Sequence, residues 1–478
     1  MSGLDRFDVA VVGGGIAGLT AGAALAAMGH SVMLAERNPA PGGCATSFRR
    51  GAHRFDAGTS ALSGLGPGGR LRRIFEGLGA TAEFLRPPIR ETVVTDRFSF
   101  ALPAQPEAIR ESFAARFPDQ RAALDRFFAL LAGSAGQRPP ATLAAVLEAC
   151  GLGGDCAFLL EALLGNLGLP AARVDGATAL SFFREFLLDG GYYPAGGMGA
   201  LAASLAQRIS ASGGTVSCRR EVGAFAGGGD EIEAVRFDDG GECRAAAFVS
   251  AMSARRTYAM APPLAAAAER RQEVGRLSLA PSAFMVFLGL GRRLDELTPH
   301  AGHILSLPEG EMGAVYRTLA DDRLLLAPEG YVYVIAPSRI DPTAAPPGGE
   351  SLCLFALAPW RSPGFWEAHR REMADALVAR AERVLPGLAA CIRVAESSTP
   401  QSIERWTGND EGAIYGWESV HGQGGASRLS PLTPWRNLYL AGHWTRPGSG
   451  ISAAAYSGHL AARTVGRHLA EAGIVPRH

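Results

Sequence analysis

The run Phe7-Asp8-Val9-Ala10-Val11-Val12, followed at once by Gly13-Gly14-Gly15-Ile16-Ala17-Gly18, constrains this chain more than any other stretch of it. A short β-branched segment reads as a buried parallel strand. The residues after it satisfy GxGxxG at Gly13, Gly15 and Gly18, and Ile16 and Ala17 open an Ala-rich helix that runs through Leu19 to Met28, with Gly29 as its C-terminal cap. Ser31 to Leu34 then forms a second strand, and Glu36 stands at its end. Gly13 permits the tight turn, Gly15 lets the backbone approach a pyrophosphate, and Gly18 lets the helix pack closely on the strand. The helix start offers phosphates its free N–H groups and the positive end of its dipole. A carboxylate at Glu36 can accept from ribose hydroxyls, which favours an unphosphorylated ribose, hence FAD or NAD over NADP.

With 478 residues the chain has room for two or three structural units. Its charge is balanced, 46 basic against 46 acidic residues, which removes the basic surplus a nucleic-acid binder needs. At 47% hydrophobic content disorder is excluded as well. Every basic residue among the 46 is arginine, so Schiff-base and lysine general-base chemistry are ruled out. Seven scattered cysteines without metal or redox spacing point to a reducing compartment. The start, Met1-Ser2-Gly3-Leu4-Asp5, lacks the layout of a secretory signal. Leu152 to Ala172, the most apolar stretch, is interrupted by Asp155 and Glu161, so no spanning helix is expected. A cytoplasmic location follows, with peripheral contact at the inner face of the membrane left open.

After Glu36 the chain reads Arg37-Asn38-Pro39-Ala40-Pro41-Gly42-Gly43-Cys44-Ala45-Thr46-Ser47, then Arg54-Phe55-Asp56-Ala57-Gly58. Here it resembles the FAD family that contains phytoene desaturases, carotenoid isomerases and retinol saturases and, further off, flavin amine oxidases. The resemblance implies FAD, with Arg37 near the adenosine and Gly42 and Gly43 near the isoalloxazine. Cys44 and Ala45 belong to the same cofactor loop, Cys44 as a small packing residue. Further on, Tyr193-Pro194-Ala195-Gly196-Gly197-Met198 resembles the family segment that leads back to the nucleotide domain, and the family residue matching Val222 contacts adenine through its backbone. Asp341 to Gly348 resembles a desaturase loop, and Gly412-Ala413-Ile414-Tyr415-Gly416-Trp417 an isomerase segment. Near the end, Leu438-Tyr439-Leu440-Ala441-Gly442-His443-Trp444-Thr445-Arg446-Pro447-Gly448-Ser449-Gly450-Ile451 matches the family's flavin motif, placing Gly442, His443, Gly450 and Ile451 at the cofactor. The family usually has an acid where His443 stands. An imidazole there can donate and can carry charge beside phosphate.

The fold expected is α/β: a discontinuous Rossmann-like FAD-binding domain with a mixed-sheet and helical substrate domain. Residues 1–90, 191–262 and 400–478 form the FAD-binding domain, 91–190 a helical insertion facing substrate or membrane, and 263–399 an antiparallel-sheet substrate domain. Strands are expected at Ala283 to Leu290, Tyr331 to Ala336 and Ser351 to Leu357. In the run Phe182-Phe183-Arg184-Glu185-Phe186, an apolar tunnel lining and plain core packing are both open readings. No second dinucleotide fingerprint and no metal site are read.

The function implied is an FAD-dependent oxidoreductase acting on a C–C or C=C bond of a lipophilic polyene or isoprenoid by hydride transfer at flavin N5. Desaturation, isomerisation and saturation all remain open, as does the electron acceptor. A flavin amine or amino-acid oxidase is the alternative, weakened by the missing lysine near flavin N5. A non-catalytic lipid binder resembling the Rab escort proteins is the third reading. The catalytic residues are unknown; His53, His303 and Tyr415 are candidates by residue type alone.

Overall fold

The computed structural model describes residues 6–58, 61–133, 139–307 and 312–476. The segment Met1 to Asp5, read above as unlike a secretory signal, lies outside them.

Two seven-stranded sheets organise the chain. In the first, Thr215–Ser217, Val32–Ala35, Arg6–Val12, Glu242–Ser250 and Leu438–Leu440 run parallel in that order. Glu231–Phe237 and Val222–Gly228 extend the sheet antiparallel from the early part of Glu242–Ser250, while Leu438–Leu440 pairs with its end. Alternation divides the central strand between two cores. Val9 and Val11 pack with the helices Ile16–Ala27, Met198–Ala211 and Ile451–Glu471. Ala10 and Val12 pack with Tyr258, Trp417, Trp435 and Trp444 on the other face. A strand covered on both faces needs the unbroken apolar run that Val9 to Val12 supplies.

The second sheet runs in the order Ile392–Ser398, Ser282–Leu290, Glu350–Ala358, Val332–Ile335, His303–Ser306, Ile89–Val94 and Ser99–Pro103. Its pairs are antiparallel except His303–Ser306 on Ile89–Val94. The three expected strands form here. Four more join them, and two of these come from before the helical segment, so the expected boundary between residues 90 and 91 falls inside a strand. The helices Pro106–Arg116, Arg121–Leu131, Leu143–Cys150, Gly154–Leu163 and Gly176–Phe183 share one core with this sheet. Gly176–Phe183 continues into a π-helical turn, Arg184–Leu188.

Among the described residues no helix is long and apolar enough to cross a membrane. All seven cysteines are free thiols.

Candidate functional site

The glycine turn between Arg6–Val12 and Ile16–Ala27 is built as its spacing requires. Gly13 has φ +100°, and its N–H donates to Ala35 O at 2.9 Å. A methyl added to Gly18 would lie 2.0 Å from Gly13 O, whereas one added to Gly15 would meet nothing within 4 Å. Gly18 thus carries the packing and Gly15 the opening. The Glu36 carboxylate is buried and held on both oxygens: Gly14 N–H donates to Oε2 and Asn38 N–H to Oε1, each at 2.7 Å. A carboxylate has about four acceptor positions, so capacity for a ribose remains. The loop after it folds back on the turn. Gly42 and Gly43 take φ +142° and +57°, and a methyl on Gly43 would come 3.1 Å from Gly15 Cα.

At the other end of the chain, Gly442 (φ +109°) donates its N–H to Ser457 Oγ at 3.1 Å, and Gly450 (φ +94°) precedes the helix Ile451–Glu471. These turns meet the amino-terminal turn in one cavity of about 880 Å³. Gly13, Gly15, Ile16, Ala17, Glu36, Arg37, Gly42, Gly43, Cys44, Val222, Gly442, His443, Gly450 and Ile451 all line it. Gly18 and Ala45 do not. Gly18 is pressed under the turn, and Ala45 is fully buried in the short helical turn Gly43–Ala45. Arg37 reaches the wall, but its guanidinium is spent on the carbonyls of Glu404 and Arg405 and lies 3.6 Å from Glu221. It therefore clamps the helix Pro400–Thr407 onto this end of the cavity.

His443 departs from the expectation of a charged donor. Burial, with the Arg428 guanidinium beside it, lowers the imidazole to about 3, so the ring is neutral. Its Nε2 is buried without a hydrogen-bond partner among the described residues. A methyl on Gly416 would lie 2.6 Å from the ring, so Gly416 is what lets the Tyr415–Trp417 segment close over it. Arg428 makes that junction. It donates to the carbonyls of Tyr415 (3.1 Å), Trp417 (3.0 Å) and His443, and to Ser449 Oγ at 3.3 Å. Almost wholly buried, and without a carboxylate partner among the described residues, its guanidinium is lowered by that burial to about 10.

Beyond the turns the cavity becomes apolar. Phe48 and Phe55 line it from the hairpin of Ser47–Arg50 with His53–Asp56, Phe287 and Phe355 from the second sheet, and Phe182, Phe186 and Tyr415 line it too. The two readings of the aromatic run apply to different residues: Phe182 and Phe186 face the cavity, while Phe183 is fully buried in the core. Of the three proton-carrying candidates only Tyr415 reaches the cavity, and burial pushes its phenol up to about 12. His53 is tied to Ser351 Oγ at 2.9 Å. His303 Nδ1 accepts from Ala336 N–H at 3.0 Å. His303 belongs to a strand of the second sheet, and His53 to the strand His53–Asp56 of a separate hairpin with Ser47–Arg50. Cys44 is inert, its thiol pushed up to about 11 by burial.

Sequence reading missed several polar groups in the wall, among them Asp56, Arg90, Glu91 and Glu185. Asp56 holds three donors: Ser47 Oγ (2.5 Å) and Met198 N–H (3.0 Å) donate to Oδ1, and Tyr193 OH to Oδ2. Its only sequence signal was its place in the Arg54-Phe55-Asp56 segment.

The chain is an α/β protein in which a dinucleotide turn meets a second sheet across an apolar cavity. The NAD(P)-binding Rossmann-like domain family matches residues 11–78. Among solved structures, an oxidoreductase from Methanosarcina mazei superposes with a TM-score of 0.70 at 18% identity, covering 95% of this chain and 99% of that one. Putrescine oxidase superposes at 0.66 with 16% identity, covering 98% of this chain and 99% of that one. Rab GDI from Plasmodium falciparum follows at 0.54 with 10% identity over 98% of both chains. These likenesses concern the fold.

In sequence, chloroplastic prolycopene isomerase of Daucus carota is 25% identical over 98% of this chain and 82% of its own length. Phytoene dehydrogenase of Streptomyces griseus is 26% identical over 97% and 96%. The resemblance drawn from the motifs is thus borne out: phytoene desaturases and prolycopene isomerases are similar to this chain over nearly its whole length.

Proposed function

We propose that the cavity holds FAD, and that the protein is an FAD-dependent oxidoreductase acting on a C–C or C=C bond of a lipophilic polyene or isoprenoid. The observation that carries this reading is the continuity of one cavity from the nucleotide turns into an aromatic, apolar wall. The residues present fit the cofactor. Open space in front of Gly15 gives a pyrophosphate access to the backbone and the helix start. Glu36 has acceptor capacity for a ribose, Val222 offers its backbone to an adenine, and the Gly442 and Gly450 turns present N–H groups for the far end. Bound there, FAD supplies a hydride acceptor or donor at N5.

The chain's own residues do the rest. Phe48, Phe182, Phe186 and Phe287 exclude water and orient an extended apolar substrate along the wall. The relatives' names support a polyene: phytoene is a substrate name shared by several of them, and prolycopene is that of others. No lysine is available near the cofactor, which weighs against an amine substrate.

The test is the visible spectrum of the oxygen-free holoprotein before and after addition of phytoene or prolycopene in micelles, and separately of putrescine. Bleaching by a polyene supports desaturation. Product formation only after prior reduction of the flavin supports isomerisation or saturation. Bleaching by the amine alone overturns the polyene reading in favour of an amine oxidase.

A further inference from the structure

Desaturation of a C–C bond releases a proton as well as a hydride; of the candidates expected from the sequence only Tyr415 reaches the cavity, and burial pushes its phenol up to about 12. The carboxyls in the cavity wall differ in how far they are already engaged. Glu36 accepts backbone N–H groups on both oxygens, and Asp56 accepts three donors. Glu221 and Glu396 are paired with arginines. Glu91 accepts from Tyr333 OH at 2.7 Å and also borders a smaller pocket lined by Asn166, Met312 and Tyr331.

Glu185 is different. It lines the cavity from the π-helical turn Arg184–Leu188, an irregularity that re-aims side chains and recurs at functional sites. Ser63 Oγ donates to its Oε2 at 3.0 Å, and Oε1 has no donor among the described residues. Ser63 in turn meets Ser452: the two hydroxyls are 3.3 Å apart, and Ser452 Oγ donates to Ser63 O at 2.8 Å. Ser452 is the second residue of the helix Ile451–Glu471. The carboxyl therefore stands one serine away from the Gly450 turn, and Phe182, one helical turn earlier, reaches the same place, 4.0 Å from where a methyl on Gly450 would lie. The other charges acting on Glu185 are Arg70 and Asp189, which oppose one another, while burial raises its affinity for a proton.

We propose that Glu185 is the proton-transfer residue of this enzyme. The inference rests on the FAD and polyene reading above. In desaturation, its carboxylate takes the proton from the carbon beside the one that gives up hydride to oxidised FAD. The electron pair of the broken C–H bond becomes the second bond of the new C=C. The two electrons that leave with the hydride would pass by way of bound FAD to a quinone or oxygen as the oxidant, and Glu185 returns its proton to solvent.

The test compares wild-type, Glu185→Gln and Glu185→Asp holoproteins. With phytoene in micelles, Glu185→Gln is expected to lower kcat at least 100-fold while flavin content, flavin spectrum, melting temperature and the KM for phytoene stay unchanged. Glu185→Asp should recover part of the rate and shift the acid limb of the kcat profile. A Glu185→Gln rate within threefold of wild type overturns the proposal. A second readout needs no substrate. Infrared difference spectra should show a carboxyl band, titrating above the ordinary glutamate range, in wild type and not in Glu185→Gln. Absence of that band overturns the assignment whether or not phytoene is turned over. Failure of wild type to convert any polyene, with the band present, sinks the polyene reading and leaves Glu185 as the proton-carrying group.

Discussion

Two glycines of the nucleotide turn do different work although they belong to one motif. Gly15 has no atom in the way of a side chain, and its backbone (φ −69°) suits any residue. Gly15→Ala is therefore expected to leave the melting temperature within a degree or two while lowering bound FAD after purification by tenfold or more. Gly18→Ala, whose methyl would sit 2.0 Å from Gly13 O, should destabilise the protein by roughly 3 kcal/mol or more. Urea unfolding and flavin content measured side by side separate the two. His443 yields a pH prediction. Its unfolded imidazole binds a proton below 6.5, the folded one only near 3. Between those values the unfolded state holds more protons, so stability falls as pH drops. For protein stripped of nucleotide, wild type should lose roughly 2 kcal/mol more than His443→Asn between pH 7.5 and 5. Equal losses would contradict the neutral, buried ring. The motif glycines were legible because backbone geometry demands them. The state of His443 was not, since it depends on Gly416 and Arg428 arriving from elsewhere in the chain.

Among the elements, the loop Asp341 to Gly348 shows how distant segments are locked around the cavity. Asp341 accepts from Arg54 at 2.6 Å and from Gly196 N–H at 2.8 Å, so one carboxylate ties the hairpin, the Tyr193–Gly197 segment and the second sheet. Both partners of the ion pair are nearly inaccessible, at 7% and 5% exposure. Arg54→Met should cost about 3–5 kcal/mol because it strands a buried charge, and Arg54→Met with Asp341→Leu should recover part of that loss. An additive double variant would refute the coupling. Strands with unbroken apolar runs, such as Ser282–Leu290 and Glu350–Ala358, were legible from composition alone. Ile89–Val94 was not, because Arg90 and Glu91 interrupt it, and those charges are buried against the cavity. Ile392–Ser398 is a half-polar edge strand and carries no alternation strong enough to read. Glu185 was hidden for a related reason: its partner Ser63 lies 122 residues away.

At the scale of the whole molecule, the nucleotide site is a joint between pieces that share no local sequence. Removing FAD should therefore lower apparent stability by roughly 3–4 kcal/mol at hundredfold to thousandfold saturation, read from urea midpoints with and without added cofactor. No change would mean the joint is complete without it. The carboxyl-terminal part of that joint has a consequence for how the protein is made. Leu438–Leu440 pairs beside Glu242–Ser250, and the helix Ile451–Glu471 crosses Ile16–Ala27 so closely that a methyl on Gly458 would lie 2.1 Å from Ala17 O. The helix Ile16–Ala27 thus waits for Ile451–Glu471, more than 400 residues later, to complete its packing. Under the FAD reading, loading follows synthesis of this helix, and a chain truncated before Ile451 leaves that side of the cavity open.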